Sequence, residues 1–140
     1  DINYVGASDL EITFKARGQH AFMRANDFSY RETWVGDSKE YRDVTSPVNH
    51  VANIRVPSFH AYGVKDPRVV IDHWERLEPE LKKHGKVYES MVEKRQGHGF
   101  RDEDASVGFY GRMEPFLAKY LTPEVDVQIG FSEVVELPLK

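Results

Sequence analysis

The sequence contains no cysteine, so neither disulfide staples nor thiol chemistry enters its function, and a reducing compartment is permitted. It has no Asn-x-Ser/Thr sequon. No apolar run approaches the roughly 20 residues that a membrane-spanning helix needs, so no membrane partner is expected. The 19 lysines and arginines are outnumbered by 23 aspartates and glutamates, for a net charge of −4. With no basic stripe along the chain, nucleic acid is not an expected partner either. The histidines at 20, 50, 60, 73 and 84 lack metal-ligand spacing, and neither a metal nor a cofactor is expected. A signal-peptide pattern is also missing. Asp1 already stands beside the strand-like "INYVG", so the chain is expected to begin in mid-domain, with any targeting information upstream.

What is present suits a globular domain. A chain of 140 residues can bury roughly two-thirds of its unfolded surface in one core. "INYVG" (2–6) is β-rich and is followed by "ASDLE", where Ser8 or Asp9 can cap a helix. Residues 11 to 45 mix aromatic and charged residues around a Gly-Asp turn signal in "WVGDSKEY", and read as short helices and loops. In "TSPVNHVANI", Ser46 takes an N-cap position and Pro47 the first helical one. "VPSFHAYG" (56–63) is a short apolar run ended by glycine, the pattern of a strand buried on both faces. Val70, Trp74, Leu77 and Leu81 then recur at helical spacing, with Asp72 and Glu75 as a capping-box-like start and Gly85 as a stop. Pro79 falls inside this helix and predicts a kink or break.

"KVYESMV" (86–92) is the next strand. Residues 104–121 form the last helix, with Val107, Tyr110, Met113, Leu117 and Tyr120 predicted on one side. Its Pro115 follows Gly111 by four residues, the neighbour least able to clash with the proline ring. Strand, helix, strand, helix at this spacing predicts the α/β class, with parallel strands and right-handed crossover helices. In the tail, the odd positions Val125, Val127, Ile129, Phe131, Val135, Leu137 and Leu139 are apolar, broken only by Glu133. That period of two predicts a strand, either an extra edge of the same sheet or an arm that pairs with another subunit. The expected division is 1–121 for the α/β unit and 122–140 for the tail.

Two turns carry the chemistry. In "YGVKDPRV" Asp66 lies three residues after Gly63, and in "QGHGF" His98 stands between Gly97 and Gly99. Both residues should emerge at the carboxyl ends of adjacent parallel strands, where open α/β sheets place their sites. An aspartate that accepts a hydrogen bond from one imidazole nitrogen fixes the tautomer and leaves the other nitrogen as a base. The two glycines are expected to give the loop backbone freedom and to leave room around the ring. The bland alternatives are a packed loop histidine and an aspartate that caps a helix after Pro67.

The string "SPVNHVANIRVPSFHAYGVKDPRV…HWERLEPELKKHGKVYESMVEKRQGHGF…FYGRMEPFLAKYL" resembles the C-terminal half of the prolyl oligopeptidase-type catalytic domain, a group that includes dipeptidyl and acylaminoacyl peptidases. The likeness rests on Ser46-Pro47, Pro57, Gly63, Asp66, Val69, Gly85, the Gly97-His98-Gly99-Phe100 loop, Phe116-Leu117 and Tyr120-Leu121, and it covers about residues 2 to 121. It implies a partial α/β-hydrolase fold, Asp66 as the triad acid, His98 as the general base, and Val69 and Phe100 bordering the substrate pocket. Where the family usually has a histidine before the strand-ending glycine, this chain has Tyr62. The triad order of the fold is Ser, Asp, His, with the serine in a G-x-S-x-G elbow, and neither "GASDL" nor "GDSKE" is one.

The resemblance therefore implies the acid-and-base half of a serine peptidase acting on peptide substrates, with a nucleophile supplied from outside the chain. A serine esterase on the same fold shares that machinery. A silent half-domain is the non-enzymatic alternative: inert alone, and associating with its missing half or with copies of itself. The acidic run Asp102–Asp104 is expected to favour the start of the last helix, and His60 to be a hydrogen-bonded strand residue. Phe28, Tyr30 and Trp34 are candidates for a substrate cleft or for core.

Overall fold

The computed structural model describes residues 1–17 and 38–121. In chain order its elements are β1 (Ile2–Tyr4), α1 (Leu10–Arg17), α2 (Lys39–Thr45), a 3₁₀ helix (Pro47–Asn53), β2 (Ser58–Gly63), α3 (Asp72–Lys83), β3 (Tyr88–Glu93) and α4 (Glu103–Leu121). The Gly36-Asp37 turn, the aromatic residues Phe28, Tyr30 and Trp34, and the tail 122–140 lie outside the described residues.

The three strands form one parallel sheet in the order β1-β2-β3. Ile2 pairs with Phe59, Ala61 with Met91, and Gly63 with Glu93. Every residue of the central strand β2 is buried, as a parallel strand covered on both sides requires. Its alternation divides the core. Phe59 and Ala61 join Met91, Phe100, Phe109 and Phe116 on the side of α4. Tyr62 joins Val48, Val51, Trp74, Leu77 and Leu81 on the side of α3 and the 3₁₀ helix.

Helix α3 buries Trp74, Leu77 and Leu81, as their spacing predicts. Its ends differ from the expectation at one terminus only. No side chain caps the start, so Asp72 and Glu75 do not form a capping box. At the other end Gly85 takes a φ of +58°, with its N–H on Lys82 O and that of Lys86 on Leu81 O, a Schellman closure. The helix also runs through Pro79 without a break. Proline removes one backbone bond there, and the buried row of Trp74, Leu77 and Leu81 on either side holds the turn together.

Two further expectations are corrected, and one open alternative, Ser8 or Asp9 as a cap, is decided for Asp9. The Ser46–Asn53 segment is a 3₁₀ helix whose N-terminal serine does not cap it. The Ser46 hydroxyl instead donates to Arg42 O at 2.6 Å and accepts from Leu10 N at 2.9 Å, tying α1 to α2. At the head of α1 the cap is Asp9, which accepts from Glu11 N at 2.8 Å and Ile12 N at 3.3 Å, while Ser8 bonds His73 O. In α4 the buried stripe is Ala105, Phe109 and Phe116, with Met113, Leu117 and Tyr120 packed beside it. Val107 and Tyr110 are exposed. The large ring of Phe109 fixes this rotation by stacking on Tyr4 (centroids 4.5 Å apart) and meeting Phe59 at 5.9 Å.

His60 and His73 are buried on the α3 side. His60 Nδ1 accepts from Asn3 Nδ2 at 3.2 Å and its Nε2 lies 2.8 Å from Ser58 Oγ, so it is the hydrogen-bonded strand residue expected. Burial lowers its pKa from 6.5 to about 4, and burial lowers that of His73 too. An unfolded chain thus binds more protons than the folded one between these values. The stability held by a neutral His60 is full above pH 6.5 and is lost as pH falls toward 4, on the order of 3 kcal/mol at the limit. Urea unfolding across this window should show a His60→Gln variant with a shallower slope than the parent. Identical slopes would remove His60 as a source of the acid sensitivity.

Candidate active site

Asp66 and His98 leave the carboxyl ends of β2 and β3, one strand apart, and their loops are bonded to each other. Val64 N–H donates to Glu93 O and Lys65 N–H to Gln96 O, both at 2.9 Å. These bonds continue the β2–β3 pairing beyond the strands and bring the two side chains together. His98 Nδ1 lies 2.8 Å from Asp66 Oδ2.

Asp66 is held on both oxygens. Oδ1 accepts from Arg68 N at 2.7 Å and from Val69 N at 2.9 Å. The side chain is fully buried. The capping alternative is therefore half right: the carboxylate does cap backbone N–H groups, but of a turn over Pro67–Val69, since α3 begins only at Asp72. The second oxygen remains for the imidazole. A carboxylate can only accept, so Nδ1 carries the proton and the lone pair of a neutral His98 lies on Nε2. No described residue hydrogen-bonds Nε2. The ring is about a third exposed and lines a cavity of about 430 Å³.

The glycines divide the work differently from the expectation. Gly99 has a φ of +92°, which other residues rarely adopt. Gly97 does not have positive φ, and a Cβ there would meet Lys65 O at an ordinary 3.6 Å. The tight position is Gly63, at the end of β2. A Cβ on Gly63 would press on the Gly97 carbonyl oxygen and lie 2.5 Å from that of Gln96. The backbone of the histidine loop crosses directly over this residue.

Sequence reasoning also missed two residues that hold the loop from below. Buried Gln96 accepts through Oε1 from Arg101 N at 3.1 Å and Asp102 N at 3.4 Å. The Tyr4 hydroxyl accepts from Phe100 N. Nothing in local spacing signals either contact. Val69 and Phe100 do not line the cavity beside His98. Val69 packs against the α3-side core, and Phe100 is buried edge-on to Tyr4 and Phe109. Tyr62 donates its hydroxyl to Gly6 O at 3.0 Å and accepts from Asn3 Nδ2 at 2.9 Å, and burial pushes its pKa up to about 12. It clamps the loop after β1. Among the described residues no group could hold a metal ion, and no serine hydroxyl reaches His98.

Solved structures share this arrangement of strands and helices. A puromycin-hydrolysing peptidase of Mycobacterium tuberculosis is 25% identical with a TM-score of 0.76, the match covering 88% of this chain and 18% of that one. An acylaminoacyl peptidase bound to Z-Gly-Gly-Phe-chloromethyl ketone is 18% identical, TM-score 0.73, over 89% of this chain and 21% of that one. The acylaminoacyl peptidase of Pyrococcus horikoshii is also 18% identical, TM-score 0.72, over 89% and 20%. The chain thus spans about a fifth of the length of these structures. No curated protein matches it. The parallel sheet with its helices is part of an α/β-hydrolase fold. Residues 2–124 match the model of the prolyl oligopeptidase family, and the chain belongs to that family.

Replacing Gly63 by Ala should separate the two loops, because the obstructing atoms are backbone and cannot swing aside. The measurable result is a drop in melting temperature together with a changed His98 ring environment in NMR. An unchanged His98 signal would show that the crossing tolerates a methyl group.

Proposed function

We propose that Asp66 and His98 are the acid and base of a Ser-Asp-His triad that hydrolyses peptide bonds, its serine supplied from outside this chain. The observation that carries the proposal is the pinned pair. Asp66, fully buried and fixed at one oxygen by two backbone N–H groups, orients His98 with the other, which leaves Nε2 unbonded among the described residues on a ring that lines the cavity. Membership of the prolyl oligopeptidase family supports the reading.

The step runs as follows. As the serine oxygen attacks the carbonyl carbon, its proton passes to His98 Nε2, and Asp66 stabilises the imidazolium without taking the proton. The tetrahedral intermediate then expels the amine: the C–N bond breaks and the Nε2 proton goes to the leaving nitrogen. Water repeats the sequence on the acyl-enzyme, giving the acid and the free serine.

In the full-length protein, Asp66→Asn should reduce turnover by something on the order of 10⁴, because the cap survives while the imidazole tautomer is wrong. A loss below tenfold removes Asp66 from the triad. A serine-directed fluorophosphonate should label the full-length protein outside residues 1–140 and leave the isolated chain unlabelled. Label within this chain would overturn the assignment of the nucleophile.

A further inference from the structure

The cavity beside His98 is lined by Arg68, Arg95 and Arg101 together with Pro67, Gln96 and the histidine loop, and no acidic side chain lines it. The chain as a whole is acidic, so this is a local reversal of sign. All three arginines are exposed. Among the described residues none of them forms an ion pair, whereas Arg42 is bonded to Glu11 and Arg76 lies 3.8 Å from Asp9. Asp66 sits beneath the cavity with both oxygens occupied by His98 and backbone N–H groups. Asp102, Glu103 and Asp104 follow Arg101 in sequence but stand at the start of α4 and do not line the cavity. Three like charges around one concavity repel each other and focus a positive field into it, an arrangement that a bound anion relieves.

The chemistry of the base says which part of a substrate meets them. His98 Nε2 must deliver its proton to the leaving amine, so the half of the peptide that departs passes over this ring. We infer that the site favours peptides carrying a carboxylate in the leaving half, either an acidic side chain or a terminal carboxyl group, received by Arg68, Arg95 and Arg101. Guanidinium groups suit this because their paired N–H donors match a carboxylate. The inference rests on His98 as the base of the proposed hydrolase.

Calorimetric binding to the full-length protein tests it with four leaving-half mimics: an alanine tetrapeptide amide, the same amide with one Asp, its Asn counterpart, and an alanine tetrapeptide with a free carboxyl terminus. The Asp peptide should bind about tenfold more tightly than the Asn peptide at low salt if side chains are read, and the gap should shrink in 0.5 M salt. Tighter binding of the free-carboxyl peptide than of its amide assigns the terminus instead. In an Arg95→Glu/Arg101→Glu variant the preference should pass to a Lys peptide. Equal affinities at low salt, or a preference for acid that survives charge reversal, would overturn the inference. Fluorophosphonate labelling of the same preparation reads the hydrolase assignment separately: unlabelled protein that still favours the carboxylate retains the anion site and loses the proposed nucleophile.

Discussion

The Lys65 N–H to Gln96 C=O bond fastens two loops together beyond the point where their strands stop pairing. It forms because Gly63 has no side chain to hold the histidine loop away from the end of β2. With that approach in place, Asp66 and His98 need only ordinary conformations to meet at hydrogen-bond distance. Tyr4 beneath Phe100 and Gln96 beneath Arg101 then fix the far side of the same loop. The pair is thus set by backbone, and its side chains complete a geometry that the sheet has imposed.

Asp66 illustrates how one carboxylate serves two demands. Buried without partners, an ionised carboxyl group costs several kcal/mol, which its three N–H contacts offset. Two of these contacts are backbone and also close the turn that leads toward α3. Structural capping and imidazole orientation therefore reinforce each other, since the bonds that fix one oxygen aim the other.

Much of this was legible in the sequence because it depends on local patterns. The strands, α3 and its Gly85 stop follow from apolar periodicity and turn chemistry, and the order of Gly63, Asp66 and His98 placed the pair on neighbouring loops. Other features depend on contacts between distant residues. The rotation of α4 is decided by Tyr4 and Phe59 against Phe109, which a helical wheel cannot see, and so Val107 and Tyr110 are exposed although their spacing predicts them beside Met113 and Leu117. The Ser46 hydroxyl is drawn away from its own helix by Leu10 N–H. Gly63 reads as a strand terminator until the loop crossing it is known. Arg68, Arg95 and Arg101 form no stripe along the chain and converge only through the loop bonds.

The pinned pair has a consequence for how a complete site is assembled. Asp66, His98 and the backbone bonds between their loops fall within one βαβ unit and the loop after it, and Tyr4 of β1 adds one bond to Phe100, so most of the pair's geometry is an internal property of that segment. Orienting reacting groups accounts for a large share of enzymatic rate enhancement, and in the proposed triad much of that ordering is already present in this pair. Under the proposed triad, what remains to be supplied is reduced to a few degrees of freedom: the distance and bearing of one hydroxyl from one nitrogen.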